Sequence, residues 1–89
     1  MINETLLKEF GNRIKLLRLQ KDYSQEKLSF ITGFHRTYIG MIERGERNIS
    51  LTHMAVFAKV FGLSISQLLD LKEVNPKHSY KKYETKAEK

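Results

Sequence analysis

The 89-residue sequence has no cysteine, a single proline and no run of some twenty apolar residues. Without cysteine, neither a disulfide framework nor a thiolate zinc site can supplement the core. That absence suits a reducing cytosol. Without a long apolar run, no transmembrane helix is expected. The opening Met1-Ile2-Asn3-Glu4-Thr5 lacks the basic, then apolar, then small-residue plan of a signal peptide. The expected location is therefore cytoplasmic, with no membrane partner. His35, His53 and His78 lie far apart and show no metal-ligand spacing. There is no glycine-rich phosphate loop and no grouping of serine, histidine and acid. No metal, no cofactor and no catalytic residue is expected, so the chain reads as a binder rather than an enzyme.

What is present begins with charge. Sixteen Lys and Arg against ten Asp and Glu give a net charge of +6. An excess of that sign favours polyanions such as nucleic acid or an acidic membrane surface. It serves equally well to keep a small domain soluble, so charge alone leaves both readings open. The length suits one domain, which at this size buries roughly 60–70% of the surface its unfolded chain exposes. The core is thin, and partner contacts matter correspondingly more to stability.

Apolar residues recur at helical spacing and nowhere alternate as in a strand. The pattern predicts an all-α fold of five helices. The first runs from about Asn3 to Gln20, with Leu6, Phe10, Ile14 and Leu17 on one stripe. Ser24 caps the second, whose inner face is Leu28 and Ile31, and Gly33 ends it. The third covers about His35 to Arg44 with Ile39 and Ile42 inward, and Gly45 stops it. Ser50 caps a fourth reaching Phe61, on a stripe of Leu51, Met54, Phe57, Ala58 and Phe61. A short fifth starts at Ser64 or Ser66 and carries Ile65, Leu68 and Leu69. Pro76 marks the end of compact structure. Six lysines against three glutamates over 72–89 carry half of the net charge, with few strong hydrophobes to bury. The expected organisation is a folded domain over 1–74 and a basic, flexible C-terminal tail over 75–89.

The stretch Ser24 to Gly45 has the plan of a helix-turn-helix: two short helices joined by a tight turn containing glycine. The second helix braces the third, whose outer side is free to enter a major groove about 12 Å wide. Arg36 can donate two parallel hydrogen bonds to O6 and N7 of guanine. Thr37 offers a hydroxyl and a methyl group. His35 and Tyr38 stand at the N-terminal end of that helix, in reach of bases or phosphates. His35 serves equally as an N-cap, and the Tyr38 ring could instead pack against the second helix. Gly40 is costly mid-helix, by roughly 0.5–1 kcal/mol relative to alanine. Either another surface approaches it closely, or it is merely tolerated.

Ser24-Gln25-Glu26-Lys27-Leu28, Gly33, Arg36-Thr37-Tyr38-Ile39 and Ile42-Glu43-Arg44-Gly45 resemble the lambda-repressor-like helix-turn-helix family. The resemblance continues through Arg47-Asn48-Ile49-Ser50-Leu51 and Phe61-Gly62-Leu63-Ser64, covering roughly residues 7 to 71. Within the family, Arg36-Thr37-Tyr38-Ile39 followed by Ile42-Glu43-Arg44-Gly45 and Arg47-Asn48 is similar to controller proteins of restriction–modification systems. The resemblance implies that Gln25 binds a phosphate at the start of the second helix. It places Arg36, Thr37 and Tyr38 at recognition positions, and Arg47 and Asn48 in a loop that touches DNA backbone or a groove edge. It also implies that Arg18 and Glu43 bridge the first and third helices.

Val56 and Val60 fall off the core stripe of the fourth helix, and Leu71 and Val74 follow the fifth. Scattered exposed apolar residues are normal, whereas a contiguous cluster marks an interface. With the family's habit added, a homodimer is expected, built by Val56, Val60, Ile65, Leu68, Leu69 and Leu71. Its two recognition helices would stand about 34 Å apart on a near-palindromic operator in double-stranded DNA. RNA polymerase is a further expected partner. The rival readings are an antitoxin or other protein-interaction module using the basic tail, and a plain phage or plasmid repressor.

Overall fold

Three of the five helices begin at a serine whose hydroxyl accepts a backbone N–H of the first turn. Ser24 accepts from Lys27, Ser50 from His53 and Ser64 from Gln67. At Ser64 the Gln67 side chain also reaches back to the cap N–H, completing a capping box. That settles the choice between Ser64 and Ser66. The resulting elements, in a computed structural model that describes residues 4–71, are α1 (Glu4–Gln20), α2 (Gln25–Thr32), α3 (Arg36–Glu43), α4 (Leu51–Phe61) and α5 (Ile65–Leu68). The five expected helices are therefore present, and no strand occurs among the described residues. Asn3, Val74, Pro76, the expected domain boundary at 74 and the basic tail lie outside the described residues.

Every helix contributes to one core. Ile14, Leu28, Ile39, Ile42, Phe57 and Leu68 are fully enclosed, with Phe10, Leu17, Ala58 and Phe61 around them. Three stripe residues depart from expectation. Leu51, the first residue of α4, is 64% exposed because the stripe runs past the point where neighbouring helices cover it. Ile31, near the end of the eight-residue α2, is exposed too, and Leu28 alone of that helix is buried. Leu68 moves the other way. It is enclosed in the core and not available to a partner, because α5 is so short that its one inward position must close the domain.

α1 lies directly against the end of α3. Gly11 is buried, and a Cβ there would come within 2.6 Å of the Glu43 carbonyl oxygen. At the exit of α3, Gly45 has φ of +75°, which glycine alone adopts without strain, and a Cβ on it would meet the Lys8 backbone at 2.9 Å. The two glycines let the backbones meet without intervening side chains. Gly40 is a different case. Its nearest neighbour would be the tip of the flexible Arg44 side chain at 3.0 Å, so no packed backbone of this chain demands the mid-helix glycine. Arg13 of α1 donates to the carbonyls of Gln67 (2.9 Å) and Leu68 (3.4 Å), pinning the last turn of α5.

Candidate nucleic-acid interface

The turn between α2 and α3 consists of Gly33, Phe34 and His35. Gly33 takes φ of +81° and its N–H bonds to the Ser29 carbonyl. The Ser29 hydroxyl donates to the Phe34 carbonyl, and the Phe34 N–H donates to the Thr32 hydroxyl. Two α2 hydroxyls thus hold the turn and set the direction in which α3 leaves. His35 is the N-cap of α3, its Nδ1 accepting the Thr37 N–H at 3.1 Å. Of its two expected roles, the structure places it in the capping one.

The inward side of α3 is held by burial and by charge. Ile39 and Ile42 are in the core. The Glu43 side chain is buried and takes both Arg18 Nε (2.6 Å) and Arg18 Nη2 (3.1 Å), while Arg18 Nη1 donates to the Tyr23 carbonyl. The implied bridge between α1 and α3 is present. Gln25 joins it, its amide nitrogen donating to Glu43 Oε1 at 3.1 Å. That differs from a Gln25 side chain free to take a phosphate. Once committed to Glu43, its amide nitrogen has one hydrogen left to offer, beside the backbone N–H at the start of α2.

The outward side is exposed. Arg36 stands 3.8 Å from Glu26 with most of its side chain in solvent, a spacing too loose to hold it. Thr37, Arg47 and Asn48 are exposed. Arg36 and Thr37 therefore share the solvent side of α3, and Arg47 and Asn48 form part of the loop that follows. In that loop Arg44 and Glu46 bond each other through two contacts of 2.9 and 3.1 Å, which holds the Arg44 guanidinium above and the Glu46 carboxyl below their ordinary pKa ranges.

Tyr38 links helix and loop. The half-buried ring meets Phe34 edge-on at 5.3 Å, and the Arg47 guanidinium sits over it, 5.3 Å from the centroid. Its hydroxyl lies 2.7 Å from His53 Nδ1. Burial raises the phenol pKa and Arg47 opposes the shift, so the hydroxyl keeps its proton at neutral pH. The ring packs on Phe34, His53 and Arg47. Sequence reasoning missed Phe34 and His53. The rings of Phe34 and His53 lie 4.6 Å apart, and Phe34 also touches Phe57 of the core. The available signal was an aromatic directly after the turn glycine.

Of the six residues expected at a dimer interface, Leu69 is 42% exposed, and Leu71, Val56, Val60 and Ile65 are half-buried. Val60 and Ile65 lean on the core, and Leu68 is within it. Leu69 and Leu71 line an apolar groove of about 390 Å³ together with Leu6, Leu7, Phe10 and Met54. Phe30 of α2, which sequence reasoning did not single out, is 84% exposed.

The profile of the helix-turn-helix family matches residues 14–68. The chain belongs to that family. The control protein C.BamHI of Bacillus amyloliquefaciens is 47% identical over 62 residues, 68% of this chain and 76% of that protein. The control protein C.SmaI of Serratia marcescens is 43% identical over 59 residues, 66% of this chain and 70% of that one. Among solved structures, the restriction-modification controller protein C.AhdI from Aeromonas hydrophila has a TM-score of 0.67 and 40% identity, covering 70% of this chain and 94% of its own. The family is one of DNA-binding transcription regulators and not of enzymes, and the expectation of a regulator of the controller kind holds. Among the described residues, no helix is long and apolar enough to cross a membrane.

Proposed function

We propose that the chain is a controller of restriction–modification genes, which binds a near-palindromic operator at its own promoter as a homodimer and regulates by occupancy, with RNA polymerase as the partner at that promoter. The observation that carries this is the division of α3. Ile39, Ile42 and Glu43 are consumed by the fold, whereas Arg36 and Thr37 are held out in solvent on a helix that cannot rotate. In this arrangement α3 enters the major groove. Arg36 reads guanine, Thr37 a neighbouring base edge, and Arg47 and Asn48 hold the phosphate backbone or a groove edge beside it. The α2 N-terminus, through the Gln25 N–H and its remaining amide hydrogen, takes a phosphate. Such a protein works in the cytoplasm, where its DNA is.

Arg36→Ala tests the reading arm directly. It should cost roughly 1–3 kcal/mol on a specific site and much less on random DNA, measured by fluorescence anisotropy on both duplexes. An equal loss on both would reassign Arg36 to phosphate.

The dimer follows from exposed apolar surface at one end of the molecule, where Leu69 sits beside the open groove. Two copies joined there would place the recognition helices one DNA turn apart, about 34 Å. Leu69→Glu should yield a folded monomer by sedimentation velocity at micromolar concentration, because the side chain lies outside the core. A Leu69→Glu protein that still sediments as a dimer would move the interface elsewhere.

A further inference from the structure

We infer that the apolar groove at the α5 end takes the arm Lys72–Val74 of a second copy, so that the two chains exchange arms; this rests on the homodimer through that end proposed above. The groove is walled by Leu6, Leu7 and Phe10 of α1, by Met54 of α4, and by Leu69 and Leu71 where the chain leaves α5. The arm lies outside the described residues and starts directly from that wall. Beside the groove is a buried acceptor with nothing to accept. Glu9 is only 7% exposed, and its Oε2 has no hydrogen-bond partner among the described residues. Leu6, Glu9, Phe10 and Arg13 fall at i, i+3, i+4 and i+7 of α1 and share one face. Leu6 and Phe10 line the groove, and Arg13 holds the last turn of α5, so Glu9 stands between the two. A buried carboxylate oxygen is costly until a donor reaches it.

The arm carries both things the site lacks, an apolar side chain in Val74 and a cationic donor in Lys72. In an extended segment, residues two apart share a face at a spacing of about 6.5–7 Å. Neighbouring positions on one helix face are about 5–6 Å apart. Val74 in the groove therefore puts Lys72 within reach of Glu9. The arm comes from the partner for a reason of direction. Leu71 is already a wall of its own groove, so a chain returning to fill that groove must reverse between Leu71 and Val74. Such a turn would centre on Lys72-Glu73, which has no turn-forming residue, and Asn75-Pro76 comes too late. An arm arriving across the two-fold beside Leu69 needs no reversal. Two-fold symmetry then fills both grooves alike.

The chain has no cysteine, which makes the test clean. Full-length Leu7→Cys and Val74→Cys proteins, one thiol each, are mixed and oxidised with oxidised glutathione. Mass spectrometry of the linked peptides should find a bond between positions 7 and 74, which in this mixture joins two chains. The doubly substituted Leu7→Cys/Val74→Cys chain should likewise run as a covalent dimer. Sedimentation gives a second readout that needs no cysteine. Val74→Asp should weaken the dimer about a hundredfold, since each of two buried valines is worth about tenfold or more. Tyr83→Asp, beyond the arm, should leave the dimer unchanged. Glu9→Gln and Lys72→Met should each weaken it, and the double variant should be little worse than either; additive losses would overturn the pairing of Lys72 with Glu9. A 7–74 bond formed only within the doubly substituted chain would show that the arm fills its own groove, and overturns the exchange. No 7–74 bond, or a Val74→Asp dimer as tight as wild type, overturns it too and leaves the dimer standing. A wild-type chain that stays monomeric at high micromolar concentration removes the dimer itself, and the exchange with it.

Discussion

Glu43→Ala is expected to be the most damaging single substitution in the domain, lowering stability by about 3–5 kcal/mol. The side chains of Glu43 and Arg18 are both buried and joined by two hydrogen bonds, the shorter 2.6 Å. Removing the carboxylate strands a guanidinium that retains only the Tyr23 carbonyl, and the Gln25 amide loses its acceptor as well. Domains are stable by roughly 5–15 kcal/mol in total, and small ones lie toward the lower end. The melting temperature should therefore fall by about 15 °C or more, and DNA binding should fail because the C-terminal end of α3 loses its anchor. The cost comes from the stranded charge more than from lost attraction, since a desolvated ion pair gains little over packed hydrocarbon. A double variant, Arg18→Met with Glu43→Leu, should accordingly be more stable than Glu43→Ala. A shift of only a few degrees in the single variant would mean that the pair behaves as an exposed one.

Gly11→Ala is the second. In an open helix this change stabilises by up to about 1 kcal/mol, because alanine is the better helix former. Here the added methyl would fall 2.6 Å from the Glu43 carbonyl oxygen and 2.9 Å from its carbonyl carbon. Both are backbone atoms, and neither can rotate away. Relief requires α1 and α3 to separate, which disturbs the core and the Arg18–Glu43 bridge together. The net effect should be a loss of about 1–3 kcal/mol, read as a lower urea midpoint at unchanged m-value. A stabilised variant would contradict the close approach of the two backbones.

These two sites also show where sequence and structure part company. Helix starts and stops were legible because their chemistry is local: a serine accepting from the third residue on, a glycine taking the left-handed turn at Gly33. The inward stripe was legible where helices are covered along their length, as with Ile14, Ile39, Ile42 and Phe57. It misled at Leu51 and Ile31, near helix ends, because periodicity reports a face and not how far a neighbour extends over it. Gly40 attracted notice for being mid-helix, whereas the glycine that a close backbone demands is Gly11. Helix contact across 30 residues leaves no local trace. The same holds for the candidate interface. Arg36 and Thr37 could be placed by their spacing from the turn, but the meeting of Tyr38 and His53, 15 residues apart, depends on where the start of α4 lies, which no local pattern reveals. Gln25 was expected to face a phosphate, and its turn toward Glu43 likewise depends on a residue 18 positions away.

The most direct test of sequence-specific regulation is fluorescence anisotropy of the full chain at near-physiological salt, with DNA from upstream of its own gene beside a scrambled duplex of equal length. The expected result is a preference of about a thousandfold or more for the upstream DNA, the usual margin of specific over non-specific binding. Equal, weak and strongly salt-dependent binding to both would show phosphate attraction alone, and would contradict the assignment of α3 as a reader of bases at that promoter.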